Sequence, residues 1–354
     1  HPDWPDRDRF ILSAGHGSML IYSLLHLSGY EGMPLEELQQ FRQWDSATPG
    51  HPEYNHPPGV EMTTGPLGQG FSAGVGMALA ERMLAERFNR PDYEIVDHYT
   101  YVIASDGDLM EGVSHESGSL AGHLGLGKLI VYYDDNSISI DGSTDISFTE
   151  DVLKRFDAYG WHTELVDGHD PSAIIAATEI AQAQSAKPSI IACRTIIGYG
   201  SPNKEGTASA HGEPIGDEEI RLTKERLGLP PDEQFYVADG TKAFFSRDGR
   251  RHAQWQQLWR AYADVFPTEA IAYQDALAGK LPADWQEYLP QFEVGKALGP
   301  RVFSGLVIAA LAPHLPTLVG GSADLTGSNK TGMPDTTEVQ RDDDGGRYIR
   351  YGVR

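Results

Sequence analysis

The sequence of 354 residues predicts an α/β protein built on a doubly wound parallel sheet, with the start of a second α/β domain towards its end. Two observations lead to this class. Short apolar runs alternate with helix-like segments, and clusters rich in Asp, Asn and Gly directly follow several of those runs. Parallel strands need a crossover connection, usually a helix, so the alternation favours a parallel sheet.

The clearest β-α-β unit lies at residues 99–133. One apolar run ends before Asp106 and Gly107, and the next ends before Asp135 and Asn136, with a helix-like stretch rich in small residues between them. Ligands of open α/β sheets bind at the carboxyl ends of the strands. We therefore expect both polar pairs to face one crevice.

The remaining elements follow in chain order. We expect a short strand or turn at 10–13, helices at 19–30, 35–43, 70–87, 150–159 and 171–185, strands at 162–166 and 189–196, mainly helical sequence at 217–290, a helix at 302–312, and strands at 317–319 and from 348 onwards. Two long Gly-containing loops, at 46–59 and 198–216, have the length of functional loops.

Composition limits the classes of partner. The formal net charge of −23 disfavours nucleic acid and anionic membranes as partners. The single cysteine, Cys193, cannot form an intrachain disulfide, which favours a reducing cytoplasm. We find no signal peptide and no apolar run long enough to cross a membrane. The abrupt ends of the sequence lead us to expect a fragment of a longer chain.

The two polar pairs suggest a cation site. Asp106 and Asn136 offer the hard oxygen atoms that suit Mg²⁺ or Ca²⁺, and an ion between them could bridge the protein to a diphosphate. Gly107 would let the backbone approach the phosphate, and the helix behind it would direct its positive end at that anion. The alternative, for Asp106 and Gly107 alone, is a simple turn.

Three histidines lie in Gly-rich loops rather than on apolar faces: His16, His51 and His211. Each alone would most simply be a surface or structural histidine. Together, at the sheet edge expected for Asp106, they suit proton transfer near neutral pH and hydrogen bonding to sugar hydroxyls.

These residues carry a family resemblance. The segment from Asp106 to Asn136 resembles the G-D-G…N-N pattern of thiamine diphosphate enzymes, with Ser105 and Asp135 at two variant positions. Seven blocks then resemble the transketolase family, in the family's order: SAGHGSMLIYSLLHLSGY, TPGHPE, TTGPLGQG, SDGDLMEGVSHE, DDNSISIDG, TIIGYGSPNKEGTASAHGEPIG and GGSADLTGSN.

The resemblance implies a thiamine diphosphate-binding fold and a transferase that moves a two-carbon ketol unit from a ketose phosphate to an aldose phosphate in the pentose phosphate pathway. It implies a cytoplasmic homodimer with thiamine diphosphate and Mg²⁺ (or Ca²⁺) at the subunit interface. The implied parts are a diphosphate-binding domain at 1–235 that lacks its start, a helical linker at 236–293 and the beginning of a pyrimidine-binding domain at 294–354.

The resemblance also implies site roles. The metal ligands are Asp106, Asn136 and the Ile138 carbonyl; the other cofactor residues are His16, Gly65, Leu67, Gly107 and His211, with Asp324 and Leu325 facing cofactor held by a partner subunit. The catalytic residues are His16, His51, His211 and Glu111, the last in a carboxylate relay between subunits. Substrate is bound by His51 and His211, and its phosphate by Arg301 and Ser328.

Two alternatives stay open. The family's glutamate that protonates the cofactor follows Gly-Val-Arg, where this sequence ends at Arg354, so we expect the chain alone to be inactive. A catalytically silent cofactor-binding scaffold is one alternative, although the presence of His16, His51, His211 and Glu111 argues against it, since mere binding does not need them. A related synthase that joins pyruvate to a sugar phosphate is the other, and the GHPE and SPNKEGTASAHG blocks favour transketolase over it.

Overall fold

The computed structural model describes residues 1–246, 249–295, 297–343 and 345–354. The chain forms two compact units, His1–Leu79 with His98–Arg250 and Ala80–Asp97 with Arg251–Arg354. The domain boundaries placed at residues 235 and 293 from the sequence stay predictions. None of the helices in the described ranges combines the length and apolar character needed to cross a bilayer.

The elements alternate as expected through the first unit. The strands are β1 Arg9–Leu12, β2 Thr100–Ser105, β3 Leu129–Asp135, β4 Ile138–Ser139, β5 Gly142–Ser143, β6 His162–Asp167, β7 Ser189–Arg194, β8 Gly320–Ser322 and β9 Tyr348–Arg350. The helices are α1 Met19–Leu27, α2 Leu35–Gln39, α3 Gln69–Phe88, α4 Asp106–Met110, α5 Gly112–Leu124, α6 Val152–Ala158, α7 Pro171–Gln182, α8 Asp217–Arg226, α9 Thr241–Phe245, α10 Arg250–Val265, α11 Pro267–Leu277, α12 Pro300–Leu311 and α13 Thr326–Asn329.

A five-stranded sheet forms the centre of the first unit, in the order β1-β2-β3-β7-β6. Every neighbouring pair is parallel. The register sets Ser105 beside Asp134, and Asp135 beside Arg194. The polar residues that end these strands therefore gather at one edge, as the β-α-β pattern predicts.

The core beneath this edge explains the apolar runs. In β3, Leu129, Ile130 and Val131 have no exposed surface, because helices cover both faces of a parallel sheet and its strands carry continuous apolar sequence. Trp161 is also buried, and its indole N–H donates a 2.8 Å hydrogen bond to the Gly118 carbonyl oxygen. That bond satisfies a polar group that would otherwise be buried without a partner.

Small residues in α5 permit close packing against α6 and the residue that follows it. A Cβ at Gly118 would lie 3.2 Å from the Phe156 ring, and one at Gly122 would overlap the Tyr159 carbonyl oxygen. The glycines that lower the intrinsic helix propensity of α5 are therefore required by its packing.

The second unit has an aromatic core. Phe88 and Tyr273 pack edge to face with ring centroids 5.2 Å apart, and the Tyr262 hydroxyl donates to the Phe88 carbonyl oxygen at 2.7 Å. Trp255 and Trp259 stack in parallel on α10 with centroids 5.8 Å apart. The expectation of mainly helical sequence at 217–290 is thus met, with aromatic side chains as the reason that α10 and α11 pack.

The predicted position of the strand at 317–319 is wrong by three residues. The strand is β8, which pairs in parallel with β9. The Arg347 guanidinium donates to the carbonyl oxygens of Ala312, Leu315 and Leu318, so the chain after α12 stays in a turn. The apolar residues at 317–319 mimic a strand, but the side chain that holds the turn comes from far along the chain.

Candidate active site

The candidate site lies at the carboxyl edge of the five-stranded sheet, in the first unit. It begins where β2 ends. Ser105 caps α4 in a capping box: its backbone N–H and its hydroxyl both donate to the Asp108 carboxylate, at 2.9 and 3.0 Å. The sequence predicted a break at Ser105-Asp106-Gly107, whereas this cap starts a five-residue helix at Asp106.

Asp106 is 4% exposed and incompletely hydrogen-bonded. Its Oδ1 accepts a short hydrogen bond from the Tyr133 hydroxyl, and its Oδ2 is buried without a hydrogen-bond partner in the described chain. Burial raises the pKa of this carboxyl to about 6, although the Tyr133 hydroxyl lowers it, and neighbouring Asp135 and Asp134 add to the rise. A buried carboxylate oxygen with an open acceptor position is a group that a cation would stabilise.

The turn after β3 fixes the orientation of Asn136. The Asn136 amide N–H donates to Asp134 at 3.0 Å, and its Oδ1 accepts from the Ile138 backbone N–H at 3.0 Å. Asp134 in turn accepts a hydrogen bond from the Thr195 hydroxyl at the end of β7. The Ser137 backbone lies close enough to the Asp106 carboxyl to lower its pKa slightly, so this turn lies next to Asp106.

The three predicted histidines come together at this edge. The rings of His16 and His211 stack with centroids 4.9 Å apart and planes 17° apart. The His16 ring is partly exposed, yet burial is the largest cause that lowers its pKa. The neighbouring His211 and, more weakly, His51 also lower this pKa, whereas Asp108 raises it. His211 and His51 are thus both close enough to influence the His16 imidazole.

Two glycines bring separate segments into contact around these histidines. A Cβ at Gly65, whose φ is +136°, would lie 3.0 Å from the His51 ring, and a Cβ at Gly107 would lie 2.9 Å from a Leu67 methyl group. Thr64 is 2% exposed, and no described residue bonds to its hydroxyl. The backbone around Gly65 and Gly107 is therefore held close to neighbouring side chains.

The loop that carries His211 is attached through Glu219 on α8. Its carboxylate accepts hydrogen bonds from the Ser201 hydroxyl and from both the backbone and side-chain N–H groups of Asn203, the latter two at 2.8 Å. These donors lower the pKa of Glu219 to about 2. A single carboxylate thus fixes the start of the loop at 198–216.

Comparison with known proteins decides the family. The family model described as "Transketolase, thiamine diphosphate binding domain" matches residues 1–282. The chain belongs to the transketolase family. The predicted family and α/β fold class are confirmed, and the match identifies a thiamine diphosphate-binding domain.

Relatives in the transketolase family share about half of this sequence. Transketolases from Halalkalibacterium halodurans and Geobacillus stearothermophilus are each 51% identical over 100% of this chain and 54% of their own length. A structure of transketolase from Pichia stipitis in complex with sedoheptulose 7-phosphate superposes with a TM-score of 0.96 at 45% identity, covering 100% of this chain and 54% of that one. The structure of transketolase from Leishmania mexicana superposes with a TM-score of 0.95 at 46% identity, covering 100% of this chain and 53% of that one. The chain spans about half the length of the curated relatives it matches.

The residues at the sheet edge fit the cofactor of a transketolase. The donor set of Asp106, Asn136 and the Ile138 carbonyl is all oxygen, as Mg²⁺ and Ca²⁺ prefer. Asn136 Oδ1 accepts one N–H and keeps a second lone pair. No cluster of three or more His, Cys, Asp or Glu in the described ranges forms a metal site; the expected set contains only one residue of those types. The metal ligation stays a prediction.

The other predicted site residues occupy exposed positions. Glu111 is exposed and occupies the N-cap position of α5. The predicted phosphate and partner-cofactor residues all lie in the second unit and are exposed: Arg301, Asp324, Leu325 and Ser328. Asp324 adopts a φ of +59°, and the Leu325 N–H donates to Ser322 Oγ at 3.1 Å. Their roles stay predictions.

Sequence reasoning missed three residues that shape the site. Asp108 is fully buried beside Asp106, Tyr133 bonds the Asp106 carboxylate, and Thr195 bonds Asp134. Of the three, only Asp108 could have been predicted from the sequence, because an acidic residue three positions after Ser105 matches the capping-box pattern. The partners of Tyr133 and Thr195 depend on strand pairing, which the sequence does not specify residue by residue.

Proposed function

We propose that the full-length protein is an active transketolase, which transfers a two-carbon ketol unit from a ketose phosphate to an aldose phosphate in the pentose phosphate pathway. One observation carries the proposal: in a chain of this family, a buried Asp106 oxygen without a hydrogen-bond partner and three imidazoles lie at the same edge of the sheet. Related structures from Pichia stipitis were determined with sedoheptulose 7-phosphate, xylulose 5-phosphate and fructose 6-phosphate. These names support phosphosugars as the substrate class.

The cofactor site assigns a task to each group. Asp106, Asn136 and the Ile138 carbonyl would hold Mg²⁺ or Ca²⁺, which would supply positive charge for the diphosphate. Gly107 and the N-terminus of α4 admit the phosphate oxygens. Thiamine diphosphate, when bound, supplies the nucleophilic carbon and the electron sink that allow a ketose C–C bond to break.

The histidines act on protons and hydroxyl groups. His16 and His211 line the diphosphate side, and His211 also transfers a proton to or from the substrate. His51 hydrogen-bonds the hydroxyl groups of the donor sugar. The lowered pKa of His16 keeps its imidazole neutral near pH 7, so that one ring nitrogen donates and the other accepts.

The proposed assembly is a cytoplasmic homodimer with cofactor at the subunit interface. Glu111 then belongs to a relay of carboxylates between the two cofactors, and its exposure in the single chain leaves it free to meet a second copy. Asp324 and Leu325 face cofactor held by the partner subunit, while Arg301 and Ser328 bind the substrate phosphate through charge-assisted hydrogen bonds. Sedimentation velocity tests the assembly: a monomer that retains bound cofactor would contradict it.

The deciding experiment measures cofactor binding and turnover on the full-length protein. Calorimetry should show tight thiamine diphosphate binding with Mg²⁺ and loss of binding in Asp106→Ala. Asp157→Ala, which removes an exposed carboxylate on α6, should bind like wild type. Unchanged affinity in Asp106→Ala would refute the metal role.

Turnover separates the enzyme from a silent scaffold. The wild-type protein, given a ketose phosphate, an aldose phosphate, thiamine diphosphate and Mg²⁺, should release the shortened aldose phosphate. His51→Ala should raise KM for the ketose without changing cofactor affinity. Tight cofactor binding with no turnover would support the scaffold alternative instead.

A further inference from the structure

Asp108 has no assigned role, yet it is the most extensively bonded side chain at the site. It has no exposed surface, and its two carboxylate oxygens accept four hydrogen bonds. Oδ1 accepts from the Ser13 hydroxyl at 2.7 Å and from the Gly68 N–H at 2.8 Å. Oδ2 accepts from the N–H and the hydroxyl of Ser105 at 2.9 and 3.0 Å.

These donors come from three of the segments that carry the proposed cofactor residues. Ser13 directly follows β1, three residues before His16. Gly68 directly follows Leu67, and Ser105 directly precedes Asp106. Asp108 therefore connects, through one carboxylate, segments that lie 95 and 40 residues away along the chain.

Two further bonds extend the network into neighbouring helices. The Ser13 oxygen that donates to Asp108 also accepts the Phe71 N–H at 2.9 Å, in the first turn of α3. The Asp108 carbonyl oxygen accepts from the Ser114 hydroxyl at 2.6 Å, in the first turn of α5. The starts of α3, α4 and α5 are thus all bonded to this residue or to its direct partner.

An ionised carboxylate suits this place because it only accepts hydrogen bonds. Its two oxygens offer about four lone-pair directions, and all four bonds here come from donors. An asparagine of the same shape would direct an NH₂ group at one pair of donors, either Ser13 with Gly68 or the two groups of Ser105. A serine hydroxyl can turn to accept from that NH₂ group, but the backbone N–H of Gly68 or Ser105 cannot. At least one bond would therefore be lost while the volume stayed nearly constant.

We propose that Asp108 is a positioning residue for thiamine diphosphate, setting the spacing between the segments that bear His16, Leu67 and Asp106. The inference rests on the proposed cofactor site. Groups that bind a cofactor lose effect when their supporting bonds leave them loose by about 1 Å. Asp108 itself touches only protein, so its effect on the cofactor passes through those segments.

The test compares Asp108→Asn with Asp170→Asn in the full-length protein. Asp170 is also a helix-capping carboxylate, accepting from the Ser172 N–H at 2.9 Å at the start of α7, which follows the edge strand β6. Calorimetry with thiamine diphosphate and Mg²⁺ is run at a temperature where circular dichroism shows both variants folded. The expected Kd of Asp108→Asn is at least tenfold above wild type, and that of Asp170→Asn within twofold.

A purely structural role predicts a lower melting temperature with an unchanged Kd in the folded protein, which would overturn the proposal. If Asp108→Asn does not fold, Ser13→Ala replaces it, and a Kd within twofold of wild type for that variant would overturn the proposal. Where both variants fold, their effects on Kd should be less than multiplicative in the double variant, because both act through one bond. Independent, multiplicative effects would contradict it.

Failure of the wild-type protein to bind thiamine diphosphate with Mg²⁺ would overturn the proposed function, and this inference with it. Tight wild-type binding with an unchanged Kd in folded Asp108→Asn would overturn this inference alone. The two failures are therefore distinguishable in one set of titrations.

Discussion

Replacement of Gly15 by alanine tests whether backbone spacing at the sheet edge controls cofactor binding. A Cβ at Gly15 would lie 2.5 Å from Thr64 Oγ1 and 2.7 Å from the Gly65 backbone nitrogen. Ordinary contact begins at 3.4 Å, so the two segments would have to separate by about 0.7–0.9 Å, enough to lose much of their mutual attraction. Backbone atoms cannot move aside as the end of a flexible side chain can.

The expected effect has two parts. Overpacking of this kind costs about 1–3 kcal/mol of folding free energy, which corresponds to a fall in Tm of roughly 2–12 °C for a unit of this size. The separation also moves the Thr64-Gly65 segment relative to His16, so the Kd for thiamine diphosphate should rise about tenfold, or about 1.4 kcal/mol.

Gly17 provides the matched control two residues away. Neither Gly15 nor Gly17 has a positive φ, and a Cβ at Gly17 would have nothing within 4 Å. Gly17→Ala should therefore leave Kd unchanged and stabilise the fold slightly, by about 0.4–1 kcal/mol. Thermal unfolding and calorimetric titration of both variants make the comparison. Equal Kd values for Gly15→Ala and Gly17→Ala would refute the reasoning.

Three further predictions follow from single contacts. The pKa of Glu219 is lowered to about 2, so its contribution to stability is present above its ordinary pKa of about 4.5 and is lost as pH falls towards 2. Glu219→Gln should therefore lower the urea midpoint at pH 7. A difference in urea midpoint between variant and wild type that does not shrink on acidification would contradict this. Thr195→Val removes the hydroxyl that bonds Asp134 and should weaken Mg²⁺ binding several-fold in titrations at saturating thiamine diphosphate; unchanged Mg²⁺ affinity would count against the site. Trp161→Phe removes the indole N–H that donates to the Gly118 carbonyl oxygen, which keeps its hydrogen bond within α5. The loss of this one bond should cost about 0.5–1.5 kcal/mol in urea unfolding, and an unchanged urea midpoint would contradict this prediction.

The fold was predictable where local pattern and tertiary packing agree. The apolar runs before Asp106 and Asp135 belong to buried parallel strands, so their composition alone indicates the structure. The strand expected at 317–319 failed because Arg347, a distant residue, bonds the carbonyl oxygens of the turn. Periodicity carries no information about such partners.

The meeting of the three histidine loops at one sheet edge was predictable to the same extent, while the roles of the histidines stay predictions. His16, His51 and His211 lie in Gly-rich loops, where histidine has no packing reason to occur, and the loops meet at the edge that the strand order requires. Asp108 was missed because an Asp within Ser-Asp-Gly-Asp resembles a solvated turn. Its burial follows from donors 40 and 95 residues away.

The charge at this edge determines how an anionic cofactor can bind at all. Asp106, Asp108, Asp134 and Asp135 lie together, and the Arg194 guanidinium pairs with Asp135 at 3.0 and 3.2 Å. The net charge of the chain, −23, has the same sign. Helix N-termini provide only about half a charge each, so a diphosphate should be repelled unless a divalent cation accompanies it.

Salt dependence distinguishes this repulsion from a simple loss of ligands. With the cation removed by EDTA, thiamine diphosphate binding should be weak and should strengthen as ionic strength rises from about 0.01 to 0.15 M, because the screening length falls from about 30 to 8 Å. With saturating Mg²⁺ the affinity should depend on salt weakly or in the opposite direction, since the attracting pair is partly buried and in direct contact. If the affinity for thiamine diphosphate in EDTA falls as salt is added, the site attracts the diphosphate without a cation. The cation would then not be needed to offset repulsion by the acidic residues at this edge.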